Sequence, residues 1–339
     1  MKKNIPDFIK GYILGVIEGR LSFWMETTPS KTATFFMNIQ FPNVRKETMY
    51  FIKHSFGVGA VKKCKNEVLL EIKSPYKMLS FLNYVINNYF IHTQKLNSMC
   101  MFRDILKYYI NMPEGDNGGK KYYKNDRKYF IDMKKVFHSS EKCSKKSYEA
   151  CCRLKKSVSD EVASGFICGI IDTKGFFDYR VYERLWKARG DVYPRKSANW
   201  YFYIVFNPKD MVLAKLIRNT LRIGKIYKAK KDTLQYTINS ENEVYELCNF
   251  MEKYFNAKPK IIEYRIWATI FYNKQKYKTG GRTSPYKGYL LAYLEDMAYL
   301  YNRKKRIFMT ERKLNELTND ITERIDALHL RHLIQDRRP

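Results

Sequence analysis

The sequence predicts an α+β protein made of two pseudo-symmetric αββαββα half-domains, and three observations carry that expectation. First, Gly11-Tyr-Ile-Leu-Gly-Val-Ile-Glu-Gly-Arg-Leu-Ser-Phe23 returns 154 residues later as Gly165-Phe-Ile-Cys-Gly-Ile-Ile-Asp-Thr-Lys-Gly-Phe-Phe177. The exchanges are mostly like-for-like, Glu18 for Asp172 and Arg20 for Lys174 among them, and self-similarity across half a chain marks a duplicated domain. Second, each copy places small residues at every fourth position: Gly11, Gly15 and Gly19, then Gly165, Gly169 and Thr173. On a helix that spacing makes one flat stripe where another backbone can approach, so the two segments are expected to pack together as a domain seam. Third, the hydrophobic pattern after each copy changes from helical to alternating and back in the same order.

In the first half, residues 21–26 and 34–41 read as strands, with Phe35, Met37, Ile39 and Phe41 alternating with Thr34, Phe36, Asn38 and Gln40. Pro42-Asn43 ends the second strand and supplies an N-cap for a helix over 44–56. Strands at 60–65 and 67–73 follow, the latter alternating Val68, Leu70 and Ile72 with Leu69, Glu71 and Lys73. Helices over 75–90 and 95–112 close the half. The second half repeats this with strands near 177–184 and 200–207, a helix over 208–221, strands near 225–230 and 233–239, and helices near 241–255 and 260–276.

The half-domains are bounded at 8–112 and 159–278. Between them, 113–158 opens with Pro113-Glu-Gly-Asp-Asn-Gly-Gly119 and is dense in lysine. It reads as a mobile loop leading into a solvated linker, helical at 147–154, with a secondary chance for its lysines to track phosphates. Residues 279–339 read as a helical C-terminal extension, with helices near 290–305 and 309–333. Its amphipathic segment 327–333 is expected to pack on the second domain, or else on a protein partner.

The chain has 339 residues, enough for two domains with real cores, and 45% of them are hydrophobic. Lysine and arginine number 63 against 34 acids, a net charge of +29, and an excess that large on a folded protein points to a polyanion. AT-rich coding also enriches Lys, Asn, Tyr, Phe and Ile, but it does not require so large an excess over acids. Seven cysteines without a Cys-x-x-Cys pair suggest neither a zinc site nor a disulfide framework, and His329 and His332 lack ligand partners. No apolar run reaches membrane-spanning length, and the motif helix begins too early to leave room for a signal peptide. The expected location is intracellular, in the compartment of synthesis (cytoplasm, viral factory or organelle matrix), and the chain is expected to be a monomer.

The repeated segments resemble the LAGLIDADG motif of homing endonucleases and their maturase and transcription-factor relatives. Phe56-Gly-Val-Gly-Ala-Val-Lys-Lys63 and Ile223-Gly-Lys-Ile-Tyr-Lys228 resemble that family's turn into its third strand. Thr93-Gln-Lys95 and Lys258-Pro-Lys260 resemble the start of its late helix, which carries a core lysine near the scissile phosphate. The resemblance covers most of 8–110 and 160–275. It implies two motif helices at the seam of the half-domains, with the last acid of each motif holding a divalent metal at its foot. Glu18 and Asp172 match the first acidic position, which in the family mainly serves local structure. Arg20 and Lys174 match the second, metal-binding one, so the chain departs from the family where its chemistry lives.

Magnesium takes hard, anionic oxygen ligands, whereas two cations would repel it and could hold a phosphate directly. The preferred reading is therefore a DNA- or structured-RNA-binding protein without cleavage activity, cofactor or metal, acting as a splicing or ribonucleoprotein cofactor or as a transcription factor. Two alternatives stand beside it. One is an active, magnesium-dependent double-strand endonuclease with acids relocated to Glu26 and Asp178. The other is a structural component of a nucleoprotein assembly. The residues expected to touch nucleic acid are Arg20, Lys174, Lys95 and Lys260 near the seam. To these the outward strand faces add Thr34, Asn38, Gln40, Lys62 and Lys73 in the first sheet, and Arg180, Arg184, Lys225 and Tyr227 in the second. Trp24 and Phe36 hint at stacking on unpaired bases, or else lie beneath added helices.

Overall fold

The computed structural model describes residues 5–27, 33–42, 46–65, 67–114, 120, 124–138, 158–188, 191–229, 233–254 and 261–276. The expectations at Asn43, Lys260, 147–154 and 279–339 lie outside the described residues, as does the side chain of Arg184.

The first half runs α1 (Asp7–Arg20), β1 (Leu21–Thr27), β2 (Ala33–Pro42), α2 (Lys46–Phe56), β3 (Ala60–Cys64), β4 (Glu67–Ile72), α3 (Pro75–Asn88) and α4 (Gln94–Ile110). Its boundaries have local causes. The Ser74 and Thr93 side chains accept hydrogen bonds from Lys77 N and Leu96 N, satisfying orphan donors at the starts of α3 and α4. Gly59 takes φ +83° to turn the chain into β3, a conformation that side chains other than glycine's rarely adopt.

The four strands form an antiparallel sheet in the order β1-β2-β4-β3. Period-two alternation puts Leu21, Phe23, Phe35, Met37, Leu70 and Ile72 on its buried face. There Phe23 and Phe35 meet Phe102 of α4 at ring separations of 5.0 and 5.9 Å.

Part of the segment expected to be a solvated linker is helix α5 (Lys124–His138). Phe130 is buried and packs edge-on against Phe35 and Tyr109, Tyr129 lies 4.2 Å from Tyr108, and Tyr108 Oη donates to the buried Asp126. Lys120 Nζ donates to Ile110 O and Met112 O, satisfying carbonyls at the end of α4. Two adjacent aromatic residues, Tyr129 and Phe130, thus anchor a helix in a lysine-rich segment.

The second half runs α6 (Asp160–Lys174), β5 (Gly175–Ala188), β6 (Asp191–Phe206), a 3-10 turn (Pro208–Asp210), α7 (Met211–Leu221), β7 (Lys225–Ala229), β8 (Thr233–Ile238), α8 (Glu241–Tyr254) and α9 (Ile261–Lys276). Its sheet repeats the first order as β5-β6-β8-β7, and Gly224, at φ +81°, precedes β7 as Gly59 precedes β3. The β5–β6 ladder reaches from Gly175↔Ile204 to Ala188↔Asp191, well past the expected ends near 184 and 200. The sequence of this outer part is rich in Pro, Lys and Arg and shows no period-two hydrophobic alternation to mark it as strand. Trp267 of α9 packs beneath β5, with its ring 5.2 Å from Phe177 and its indole N–H donating to Asp178 O at 2.9 Å.

The chain divides into two compact units. The first takes α1 through α6 with residues 205–220, and the second takes residues 175–204 with α8 and α9. The repeat boundary is therefore not the packing boundary, because α6 belongs with the first unit.

Candidate nucleic-acid interface

Helices α1 and α6 touch backbone to backbone. A Cβ at Gly11 would lie 2.0 Å from Val162 O, one at Gly15 would lie 2.1 Å from Phe166 O, one at Gly165 would lie 2.1 Å from Phe8 O, and one at Gly169 would lie 2.3 Å from Tyr12 O. At the last contact Gly19 faces the Thr173 side chain, the repeat-equivalent residue that is not glycine.

This approach brings the ends of both motif segments together. Arg20 Nη2 donates to Thr173 O at 3.0 Å, capping the last turn of α6, and its guanidinium lies over the Phe41 ring. Both first-position acids are buried. Glu18 Oε2 accepts from Tyr89 Oη at 3.0 Å and Thr93 Oγ1 at 2.9 Å, and Asp172 Oδ2 accepts from Tyr12 Oη at 2.7 Å. Burial, with a smaller contribution from the Asp210 charge, pushes the Glu18 carboxyl from its ordinary 4.5 up to about 7, although Lys174 and the two hydroxyls pull the other way.

Lys95 stands in the first turn of α4. Its Nζ donates to Leu21 O at 2.7 Å and lies over the Phe23 ring. Burial lowers its pKa and the nearby Lys174 charge adds to that, against the opposing pull of Glu18 and Asp210. The buried Asp210 accepts from Gln94 N at 3.1 Å, placing a carboxylate at the positive end of α4. The structure thus gathers Glu18, Arg20, Lys95, Lys174 and Asp210. Sequence reasoning assigned no site role to Tyr89, Thr93 or Asp210; Thr93 opens the late-helix motif and the other two lie outside any motif, and only the fold brings them to Glu18.

These residues do not fit a divalent metal. Arg20 and Lys174 stand where the resemblance implies metal ligands, Glu18 and Asp172 accept from hydroxyl donors, and Asp210 accepts from a backbone amide. Among the described residues, no three His, Cys, Asp or Glu side chains come together as a metal-holding group. Asp178, one of the acids considered for relocation, binds its own strand through Tyr179 N and Arg180. Glu26 is exposed near the end of β1.

The expected readout residues lie on strands of two separate sheets. In the first, Thr34, Gln40, Lys62 and Lys73 are exposed and Asn38 is half-buried. Lys62 and Lys73 pair with Glu71, and Gln40 donates to Glu67, so carboxylates offset much of this face. Trp24 and Phe36 are half-buried and stack on each other at 5.0 Å and 8°. In the second sheet Arg180, Lys225 and Tyr227 are exposed.

Residues 167–271 match the family model described as LAGLIDADG endonuclease. The second repeat of the chain thus carries the pattern of the LAGLIDADG endonuclease family. It is 22% identical over 289 residues to "Probable intron-encoded DNA endonuclease 1" of Mycosarcoma maydis, covering 77% of this chain and 98% of that protein. Solved LAGLIDADG structures share the fold. The meganuclease I-SmaMI bound to uncleaveable DNA superposes with a TM-score of 0.65 at 15% identity, over 87% of this chain and 98% of its own. I-AabMI bound to uncleaved DNA superposes with a TM-score of 0.64 at 16% identity, over 87% and 99%. Among the described residues, no helix is long and apolar enough to cross a membrane.

Proposed function

We propose that this chain is a LAGLIDADG protein that holds nucleic acid without cutting it, serving as a splicing or ribonucleoprotein cofactor or as a DNA-binding transcription factor. One observation carries the reading: Arg20 and Lys174 occupy both family metal positions, and Glu18 and Asp172 are buried under hydroxyl donors. Cations near this point favour phosphate oxygens over magnesium. The net charge of +29 supports a polyanionic partner, as do the DNA-bound states of the solved relatives. The competing reading is an active magnesium-dependent endonuclease, favoured by the name of the Mycosarcoma maydis relative.

The deciding experiment recovers the nucleic acid bound by the full chain in cells, then measures binding and integrity with magnesium or with a chelator. Equal binding and an intact ligand in both are expected. Arg20→Asp with Lys174→Glu should make binding magnesium-sensitive by restoring an anionic pair. Site-specific cutting by the unmodified protein, abolished by Glu18→Gln or Asp172→Asn, would replace this reading with the endonuclease.

A further inference from the structure

The first rungs of the second sheet carry an aromatic surface that the motif helices leave unexplained. Phe176, two residues past the end of α6, is 50% exposed despite its size. It pairs across the ladder with Tyr203, and the two rings lie nearly parallel at 5.2 Å and 15°. On the next same-face rung, Asp178 faces Tyr201, and Arg180 lies over the Tyr201 ring at 5.4 Å. Alternation turns Phe177, Tyr179, Phe202 and Ile204 into the core, so Phe176, Tyr201 and Tyr203 share the other face.

The surrounding charge is positive. Arg180 and Lys225 are exposed on this sheet. Among its described side chains Asp178 is the one carboxylate, and it is bound by Arg180. The first sheet differs: its own stack, Trp24 on Phe36, shares a face with Glu71, and Glu26 and Glu67 lie on the same strands.

Ring faces beside cations suit flat, electron-rich rings attached to phosphates. In a continuous duplex each base is covered on both faces by its neighbours and has no face left for a side chain. Only an unpaired base can stack on an aromatic ring, and such stacking tolerates any base. We propose that Phe176, Tyr203 and the Arg180-covered Tyr201 form a stacking platform for unpaired nucleobases. The ligand of the second sheet is then a single-stranded or looped nucleic acid. This rests on the nucleic-acid-binding reading above and narrows it.

The test uses the full chain and four fluorescent probes of one sequence, each titrated by anisotropy: a DNA strand, an RNA strand, and the blunt duplex of each. Phe176→Ala should weaken single-strand binding about 5- to 150-fold, the loss of one stacked base, and leave duplex binding unchanged. Phe176→Tyr should retain affinity because it keeps the ring. Phe176→Leu should not, which separates stacking from apolar bulk. Iodouracil in the strand should photo-crosslink to peptides containing Phe176 or Tyr203. Equal strand affinity for DNA and RNA would assign recognition to the base alone, and a preference for RNA would add the 2′-hydroxyl; both support the platform. Duplex binding without strand binding, or an unchanged Phe176→Ala, would overturn the platform but leave nucleic-acid binding intact. No binding to any probe at low salt would overturn both.

Discussion

Placing a methyl group at Gly15 tests the contact on which the first unit is built. The new Cβ would lie 2.1 Å from Phe166 O and 3.0 Å from the Gly169 Cα, both backbone atoms of α6. Restoring normal contact requires roughly 1 Å of helix separation, and a gap of that size forfeits about a quarter to a half of the dispersion energy of the facing atoms. Overpacking of this kind costs about 1–3 kcal/mol or more, whereas alanine in place of a mid-helix glycine would otherwise gain about 1 kcal/mol. The clash should win. With the upper cost of about 3 kcal/mol less the gain of about 1 kcal/mol, a net loss of about 2 kcal/mol should lower the Gly15→Ala melting temperature by roughly 4–8 °C. Gly19→Ala supplies the internal control, because the three atoms nearest its Cβ all belong to the Thr173 side chain, with Oγ1 at 2.0 Å. Thr173→Gly should therefore rescue Gly19→Ala and leave Gly15→Ala unrescued, a difference that a double-mutant cycle by calorimetry measures. A Gly15→Ala protein that melts at or above the wild-type temperature would refute the backbone contact.

The Glu18 carboxyl is held near 7 when folded and near its ordinary 4.5 when unfolded, so the folded state retains a proton that the unfolded state releases. Stability should fall by about 3 kcal/mol as pH rises from about 4.5 through about 7, and Glu18→Gln should flatten that slope in urea titrations and be the more stable protein at alkaline pH; parallel curves would dismiss the idea. Phe130→Ala should cost about 3–5 kcal/mol and speed amide exchange in α5, and a loss below about 1 kcal/mol would mean that this helix is not anchored by its aromatic face. Binding should also be strongly electrostatic: with roughly 6–10 phosphates contacted, affinity drops about 10³–10⁵-fold between 50 and 200 mM salt, and a flat response would argue against phosphate contact.

The repeat and its glycines made the helix pair legible, because close helix approach demands small residues at a fixed spacing that sequence displays directly. The alternation of Phe35, Met37, Ile39 and Phe41 likewise announced which face of β2 is buried. Less legible were features whose cause lies elsewhere in the chain. Helix α5 hid among lysines because Tyr129 and Phe130 gain their energy from Phe35, Tyr108 and Tyr109, remote in sequence. The enclosure of Glu18 by Tyr89 and Thr93 was invisible for the same reason, and the outer rungs of the β5–β6 ladder were not marked by any alternation in the sequence. The Lys95 Nζ donates to Leu21 O, a contact that its place in the motif did not reveal, because a family position names a residue type and not the atom it touches.

The bare glycine face of α1 also sets a timetable. Its partner surface on α6 is encoded 154 residues downstream, and at about 5–20 residues per second synthesis takes roughly 8–30 s to reach it. During that interval the chain has already produced the first sheet with its covering helices, while the apolar stripe of α1 has nothing to lie against. Residues 205–220, whose Asp210 binds the amide that opens α4, arrive later still. The first unit, though it starts at the N-terminus, is thus completed only after most of the second repeat has been made, and a ribosome stalled between the repeats leaves a nascent chain with an uncovered apolar face, the kind of species that chaperones hold and aggregation consumes.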